Sequence, residues 1–125
     1  MTNESIPPDV REFLVECIDS VAQLEALLLL RGSPQREWYI QDIAGRLFIS
    51  QDEAGHILSA LLVCELAKTD GVTFRYSCSD AEHRQLIDRV AQVYSRYLVP
   101  VTTLIHDKSK SILRFAEAFK FRKNN

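Results

Sequence analysis

The 125-residue sequence has little of what a membrane protein or a disulfide-stabilised protein needs. No apolar run approaches the roughly 18–20 residues of a transmembrane helix. The first residues, MTNESIPPD, have neither the basic region nor the apolar region of a secretory signal. Only three cysteines occur, and their odd number and wide spacing match neither a disulfide framework nor a zinc site. These absences predict a cytoplasmic protein without a membrane span.

The sequence also lacks the motifs by which many enzyme classes are recognised. It has no Gly-rich phosphate loop, no cluster of metal ligands and no Ser/His/Asp set at a known spacing. His83 and His106 stand apart from any carboxylate or thiol pattern that would suggest metal binding. We therefore expect no enzymatic activity, no metal and no cofactor.

Basic residues are scarce in most of the chain and concentrated at its end. Residues 1–105 contain nine Lys and Arg against fifteen Asp and Glu, whereas residues 106–125 contain six basic and two acidic residues. The body therefore carries a net charge of −6, and the end of the chain carries +4. Because nucleic-acid-binding proteins usually present a basic face, the charge of the body gives no support for DNA binding.

Helical patterns account for most of the sequence. Apolar residues at spacings of three and four predict a first helix over 10–18, after an extended lead-in over 1–8. A second helix is predicted over 20–30, ended by Gly32 and Pro34. A long helix is predicted from residue 81 to 106, with Pro100 expected to kink or break it near Leu98 and Val99. Residues 107–125 are predicted to form a basic amphipathic tail.

The central segment from Glu37 to Ser77 changes pattern several times over a short distance. Trp38 to Ile40 predict a short strand, and residues 41–47 predict a short helix. Phe48 and Ile49 follow as a turn. Ser50 and Glu53 have the spacing of a capping box, which predicts a new helix over 51–64. Asp70-Gly71 then predicts a hairpin turn in which both central residues have positive φ.

This order of helix, helix, strand, helix, helix, hairpin and helix resembles bacterial winged helix-turn-helix transcription regulators. The residues that carry the resemblance are Ile43-Ala44-x-x-Leu47-x-Ile49-Ser50, Ala54-x-x-x-Leu58-x-x-Leu61, Leu66, Asp70-Gly71 and Phe74-x-Tyr76. It implies a mainly α fold with a small β-hairpin (α+β), in which a winged helix over 9–78 has extra N- and C-terminal helices. It also implies a role in transcriptional regulation.

In such regulators the second helix of the motif places its first residues at base edges in the major groove. The matching exposed positions here are Gln51, His56 and Ser59, but no Lys or Arg occurs from Gln51 to Cys64. Most of the affinity for DNA comes from phosphate contacts, and the candidate donors are Arg46, Lys68 and Arg75. The rival hypothesis is a winged helix that binds a protein partner, without DNA, through its acidic recognition helix, its long hydrophobic helix or its basic tail.

Two apolar stripes run along the segment 79–106, although a helix that covers only its own domain needs one. We therefore predict a homodimer whose interface contains residues from this helix, namely Val90, Val93, Tyr97, Val101 and Leu104. The alternative is that Pro100 turns the chain back and both stripes are buried within one subunit. Two alternatives remain for the Phe-rich basic tail. It either binds nucleic acid, an acidic protein or an anionic membrane surface, or it docks on its own domain.

Overall fold

The computed structural model describes residues 6–78 and 80–108, and the predicted basic tail beyond residue 108 lies outside that part of the chain. The described residues form six helices and one two-stranded hairpin, which confirms the predicted fold class. The elements are α1 (Pro8–Cys17), α2 (Val21–Gly32), α3 (Ile40–Leu47), α4 (Gln51–Val63), β1 (Ala67–Thr69), β2 (Phe74–Tyr76), α5 (Ala81–Arg96) and α6 (98–108). None of these helices is long and apolar enough to cross a membrane.

The first two helices meet at a corner that is built from polar contacts. Ser20 caps α2 by accepting a hydrogen bond from the Gln23 amide at 3.1 Å. The Gln23 side chain, which is 2% exposed, donates to the Cys17 carbonyl at 2.7 Å and accepts from the Asp19 amide at 2.8 Å. Lys108 on α6 donates to the Ile18 carbonyl at 2.8 Å from the other side. These bonds occupy backbone groups that the end of α1 leaves open.

The core lies between α2, the α3–α4 pair, the hairpin and α5. Helix α2 contributes Leu24, Leu27 and Leu30 to this core, and α4 contributes Leu58 and Leu61. All five side chains are fully buried. Fully burying one such side chain contributes about 1.5–3 kcal/mol. The arrangement fixes α4 against the rest of the molecule along its inner face, so its outer face is left for solvent or for a ligand.

The predicted strand over Trp38 to Ile40 is wrong in extent. Only Trp38 pairs, as an isolated antiparallel bridge to Phe74, while Ile40 already begins α3. The reason is local, because the Asp42 carboxylate accepts a hydrogen bond from the Tyr39 amide at 3.1 Å. That bond makes Tyr39 the N-cap of α3, and a cap outweighs the strand preference of the next residue.

The hairpin is present, but its turn differs from the predicted one. Pairing ends at Thr69 and Phe74, so the loop has four residues, and of its residues only Gly71 has a positive φ, at 99°. The Asp70 carboxylate accepts hydrogen bonds from the amides of Val72 and Thr73, both at 2.8 Å. An aspartate that binds the backbone two residues ahead favours this wider loop over a two-residue turn.

The predicted long helix is interrupted. α5 ends at Arg96, Tyr97 has φ −125° and ψ 56°, and helical backbone resumes over 98–108. Pro100 explains the break, since it has no N–H to donate and its ring would clash with the carbonyl four residues earlier. The restart at residue 98 places Pro100 in the first turn of α6, where no donor is needed.

Candidate nucleic-acid interface

The turn between α3 and α4 is held in an unusual backbone conformation. Phe48 ends α3 with φ 57° and ψ 45°, the left-handed region that favours glycine, and its amide donates to the Ala44 carbonyl. Its side chain is 94% exposed. Ser50 then starts α4 by accepting a hydrogen bond from the Glu53 amide at 3.0 Å, which is one half of the predicted capping box. The turn therefore sets the start of α4 through the backbone of Phe48 and the side-chain cap of Ser50.

The outer face of α4 carries the three predicted base-reading residues. Gln51, His56 and Ser59 are all exposed, and His56 and Ser59 are three residues apart on one face. Asp52 and Glu53 are exposed in the first turn, where negative charge stabilises a helix by about 0.3–1 kcal/mol. The acidic character of this helix end thus has a structural cause, although it also reduces attraction to phosphate.

The hairpin brings two predicted phosphate contacts together. Lys68 and Arg75 are exposed and lie directly opposite each other in the register of β1 and β2. Like charges in that position destabilise a sheet. The two side chains border an open cavity of about 230 Å³, whose wall also includes Glu37, Thr69, Asp70 and Thr73. This cavity on the hairpin, which we call the wing cavity, is lined by two positive and two negative side chains, so an anionic group would be attracted only on the side formed by Lys68 and Arg75.

Asp70, at the edge of the wing cavity, forms its hydrogen bonds within the β1–β2 loop. The hydrogen bonds that it accepts from the amides of Thr73 and Val72 hold the pKa of its carboxyl below the ordinary value. The carboxylate therefore stays ionised at neutral pH and shapes the loop between β1 and β2. Its charge offsets part of the positive potential of Lys68 and Arg75.

Arg46, the remaining predicted phosphate contact, belongs to a different group of side chains. Its guanidinium lies 5.5 Å from the ring centroid of Trp38, and the guanidinium of Arg36 lies 3.7 Å from the same centroid. Both arginines are exposed, whereas Trp38 is fully buried. Arg36 was not among the residues predicted from the sequence. The available signal was its spacing of two from Trp38, which places both side chains on one face of an extended segment.

The predicted dimer residues divide into two sets. Val90 and Val101 are each 1% exposed, so this chain already covers them, as the fold-back alternative expected for part of the stripes. Val93, Tyr97 and Leu104 are half-buried. Leu104 borders an open groove of about 430 Å³, which we call the α6 groove and which is lined by Ile6, Arg11, Val99, Pro100, Thr103, Leu104 and Asp107.

The described residues give no support to a nucleophilic or metal site. Burial, with Cys64 beside it, raises the pKa of the Cys17 thiol to about 12, so the reactive thiolate is scarce at neutral pH. Among the described residues no group of three or more His, Cys, Asp or Glu side chains could hold a metal ion.

No protein-family model matches the chain, and a search of curated proteins finds no match. A search of solved structures finds the multiple antibiotic-resistance repressor (MarR) from Listeria monocytogenes 4b F2365, with a TM-score of 0.51 and 13% identity. The alignment covers 94% of this chain and 84% of that one. The chain has the winged-helix fold. At this identity the likeness shows the fold alone. By position in that fold, α4 is the second helix of the helix-turn-helix, for which we use the term recognition helix, and the β1–β2 hairpin is the wing.

Proposed function

We propose that this protein is a transcription regulator of the bacterial winged-helix type, which acts in the cytoplasm by binding duplex DNA as a homodimer. The winged-helix fold supports the proposal, and one observation carries it. Lys68 and Arg75 face each other on the wing, and neither belongs to the ion pairs found among the described residues. An anionic ligand would relieve the repulsion between them, and backbone phosphate is the anion that a wing meets on DNA.

The recognition helix supplies the contacts that distinguish sequences. Gln51 can read adenine through two hydrogen bonds, and the Ser59 hydroxyl can serve as donor or acceptor. His56 lies on the same exposed face as Ser59. Since α4 carries no positive charge, phosphate binding falls to Lys68 and Arg75 on the wing and to Arg46 beside it. We expect weak binding to random DNA, because few phosphates are neutralised.

The α6 groove supplies the surface for a second copy. Its wall contains apolar side chains together with Arg11 and Asp107, which carry opposite charges. A twofold axis through the groove lets Arg11 of one copy meet Asp107 of the other, the self-complementary pattern of a closed dimer. Such a dimer would present two recognition helices to half-sites about one helical turn apart.

The test is binding of fluorescently labelled random and promoter duplexes, followed by anisotropy from about 50 to 200 mM salt. We expect log K to fall linearly with log salt. Lys68→Gln and Arg75→Gln should each lower the slope by about one phosphate. Arg84→Gln removes an exposed arginine from α5 and should leave the slope unchanged. No binding at the lowest salt would refute the DNA function, and the rival protein-binding role would then take its place.

A further inference from the structure

We propose that Arg36 and Arg46 form a second phosphate-binding site, separate from the wing cavity and held in place by the indole of Trp38. This inference rests on the proposed DNA-binding function and names a further place where the DNA backbone is held. We call these three side chains the indole platform. Arg36 is the residue that it adds to the interface.

The platform itself is fixed by the fold. Trp38 is fully buried, and its backbone exchanges two hydrogen bonds with Phe74, at 2.7 and 2.8 Å. Phe74 lies on β2 of the wing, and Arg46 lies on α3, the helix directly before the recognition helix. The indole platform therefore borders both parts of the fold that meet DNA in winged-helix regulators.

The identity of the ring argues for a role beyond packing. The Trp38 Nε1 atom is buried and is the only such side-chain nitrogen or oxygen without a hydrogen-bond partner in the described residues. A buried donor left unsatisfied costs about 1–3 kcal/mol, so a phenylalanine would fill an apolar site with less penalty. Tryptophan is, however, the best ring for attracting a cation. A tryptophan at this position, instead of a phenylalanine, is explained if one function of its ring is to hold the two guanidiniums.

The two guanidiniums are available to a ligand. Both lie within 5.5 Å of the same ring centroid, both side chains are exposed, and neither is paired with a carboxylate in the described part of the chain. A guanidinium stacked on a ring keeps its N–H donors free at its edge, in the fork that fits phosphate oxygens. Because stacking has already restricted these side chains, less conformational entropy is lost on binding.

The lack of a matched carboxylate beside either cation in the described residues also points to an anion. Arg31, by contrast, is matched with Asp88 at 2.9 Å, and Lys108 with Asp19 at 3.0 Å. Two unpaired positive charges beside one indole, in a chain whose first 105 residues carry −6, are best explained by a ligand that neutralises them. Along duplex DNA the nearest such groups are successive backbone phosphates.

The decisive experiment measures the salt dependence of binding to a random duplex for the full chain and for the double variant Arg36→Gln/Arg46→Gln. We expect the slope of log K against log salt to fall by about two phosphates, and the affinity near 0.1 M salt to fall by one to two orders of magnitude. Thermal melting should change little, since both side chains are exposed. Trp38→Phe should weaken binding with the slope retained, because the charges remain but their orientation is looser.

A matched control is available on α5. Arg96 lies 5.7 Å from the ring centroid of Tyr97, so the double variant Arg84→Gln/Arg96→Gln removes two positive charges, one of them from the same kind of stacked contact. It should leave the slope unchanged while the solution mass stays that of the unmodified chain. If the double variant keeps the full slope while Lys68→Gln lowers it, the inference is wrong and the DNA function stands. If the unmodified chain binds no DNA, both are wrong.

Discussion

Two residues with left-handed backbone follow the two helices of the helix-turn-helix. Phe48 (φ 57°) follows α3 and Glu65 (φ 61°) follows α4, at positions where glycine is the usual choice. A residue with a Cβ atom pays about 1–2 kcal/mol for this conformation. The chain has four glycines in all and places none at either helix end. Strained residues thus follow the last residues of both α3 and α4, and the surrounding contacts must compensate for the strain.

At the turn before α4 this strain gives a stability prediction. Phe48→Gly should raise the free energy of unfolding by about 0.5–1 kcal/mol, because glycine relieves the left-handed strain but gains entropy in the unfolded chain. No packing is lost, since the ring is 94% exposed. Urea denaturation of both proteins checks the value. Phe48→Ala is the control, since it removes the ring, keeps the strain and should change stability by less than about 0.5 kcal/mol. A less stable glycine variant would show that the ring makes contacts of its own.

At the scale of the elements, the predictable features were those set by neighbouring residues. Ser50 caps α4 as its spacing with Glu53 predicted, and the break before Pro100 follows from the chemistry of proline. The errors arose where a side chain formed a local bond that the pattern does not show. The hydrogen bond to the Asp42 carboxylate favours a helix that begins at Ile40 over the predicted strand, and the bonds to the Asp70 carboxylate favour a four-residue hairpin loop over a two-residue turn.

The candidate site was predicted less completely, for a related reason. His56 and Ser59 share a face because helical spacing alone determines it, and the same spacing places Gln51 about 140° around the helix from His56. The indole platform joins Arg36, from the loop before α3, to Arg46 near the end of α3. That contact depends on where an extended segment crosses a helix, which no local spacing specifies. The burial of Val90 and Val101 likewise depends on how α5 and α6 pack on the other helices.

Gln23 is the residue on which the α1–α2 corner depends. Gln23→Leu would remove its bonds to Cys17 and Asp19 and leave the Cys17 carbonyl without that donor, and we expect a loss of about 2 kcal/mol in unfolding free energy. The control is Gln41→Leu on α3, where the side chain is exposed and the expected change is within about 0.5 kcal/mol. Chemical denaturation measures both. Equal stability of the two variants would mean that solvent replaces the Gln23 bonds without loss.

At the scale of the whole molecule, charge and apolar surface are distributed unevenly. Positive side chains that could meet DNA lie on the wing and at the indole platform, while the first turn of α4 is acidic. Exposed apolar side chains occur at the start of α6, where Leu98 is 53% and Val99 is 70% exposed. The proposed DNA and dimer surfaces therefore use different elements. The effect of a substitution at the DNA surface can therefore be interpreted without assuming a change at the dimer surface, and the reverse also holds.

The α6 groove gives the prediction that decides the assembly. Val99→Asp places a charge on an exposed residue at the start of α6, where it favours the helix, so the folded chain should be unaffected. If Val99 faces a second copy, the new carboxylate would be desolvated at the interface and would compete with Asp107 for Arg11, and the solution mass should drop from two chains to one at micromolar concentration. Val101→Asp should instead unfold the chain, because Val101 is 1% exposed within one subunit.

Val63→Asp is the matched control for that experiment, since Val63 is 82% exposed but lies at the end of α4, outside the residues that line the groove. Multi-angle light scattering should find this variant still dimeric, and circular dichroism should find it folded. A single-chain mass for the unmodified protein would refute the dimer itself. A Val99→Asp variant that stays dimeric would instead place the interface elsewhere. In that case the charge-matched contact between Arg11 and Asp107 would have no role in assembly, because both residues line the same groove.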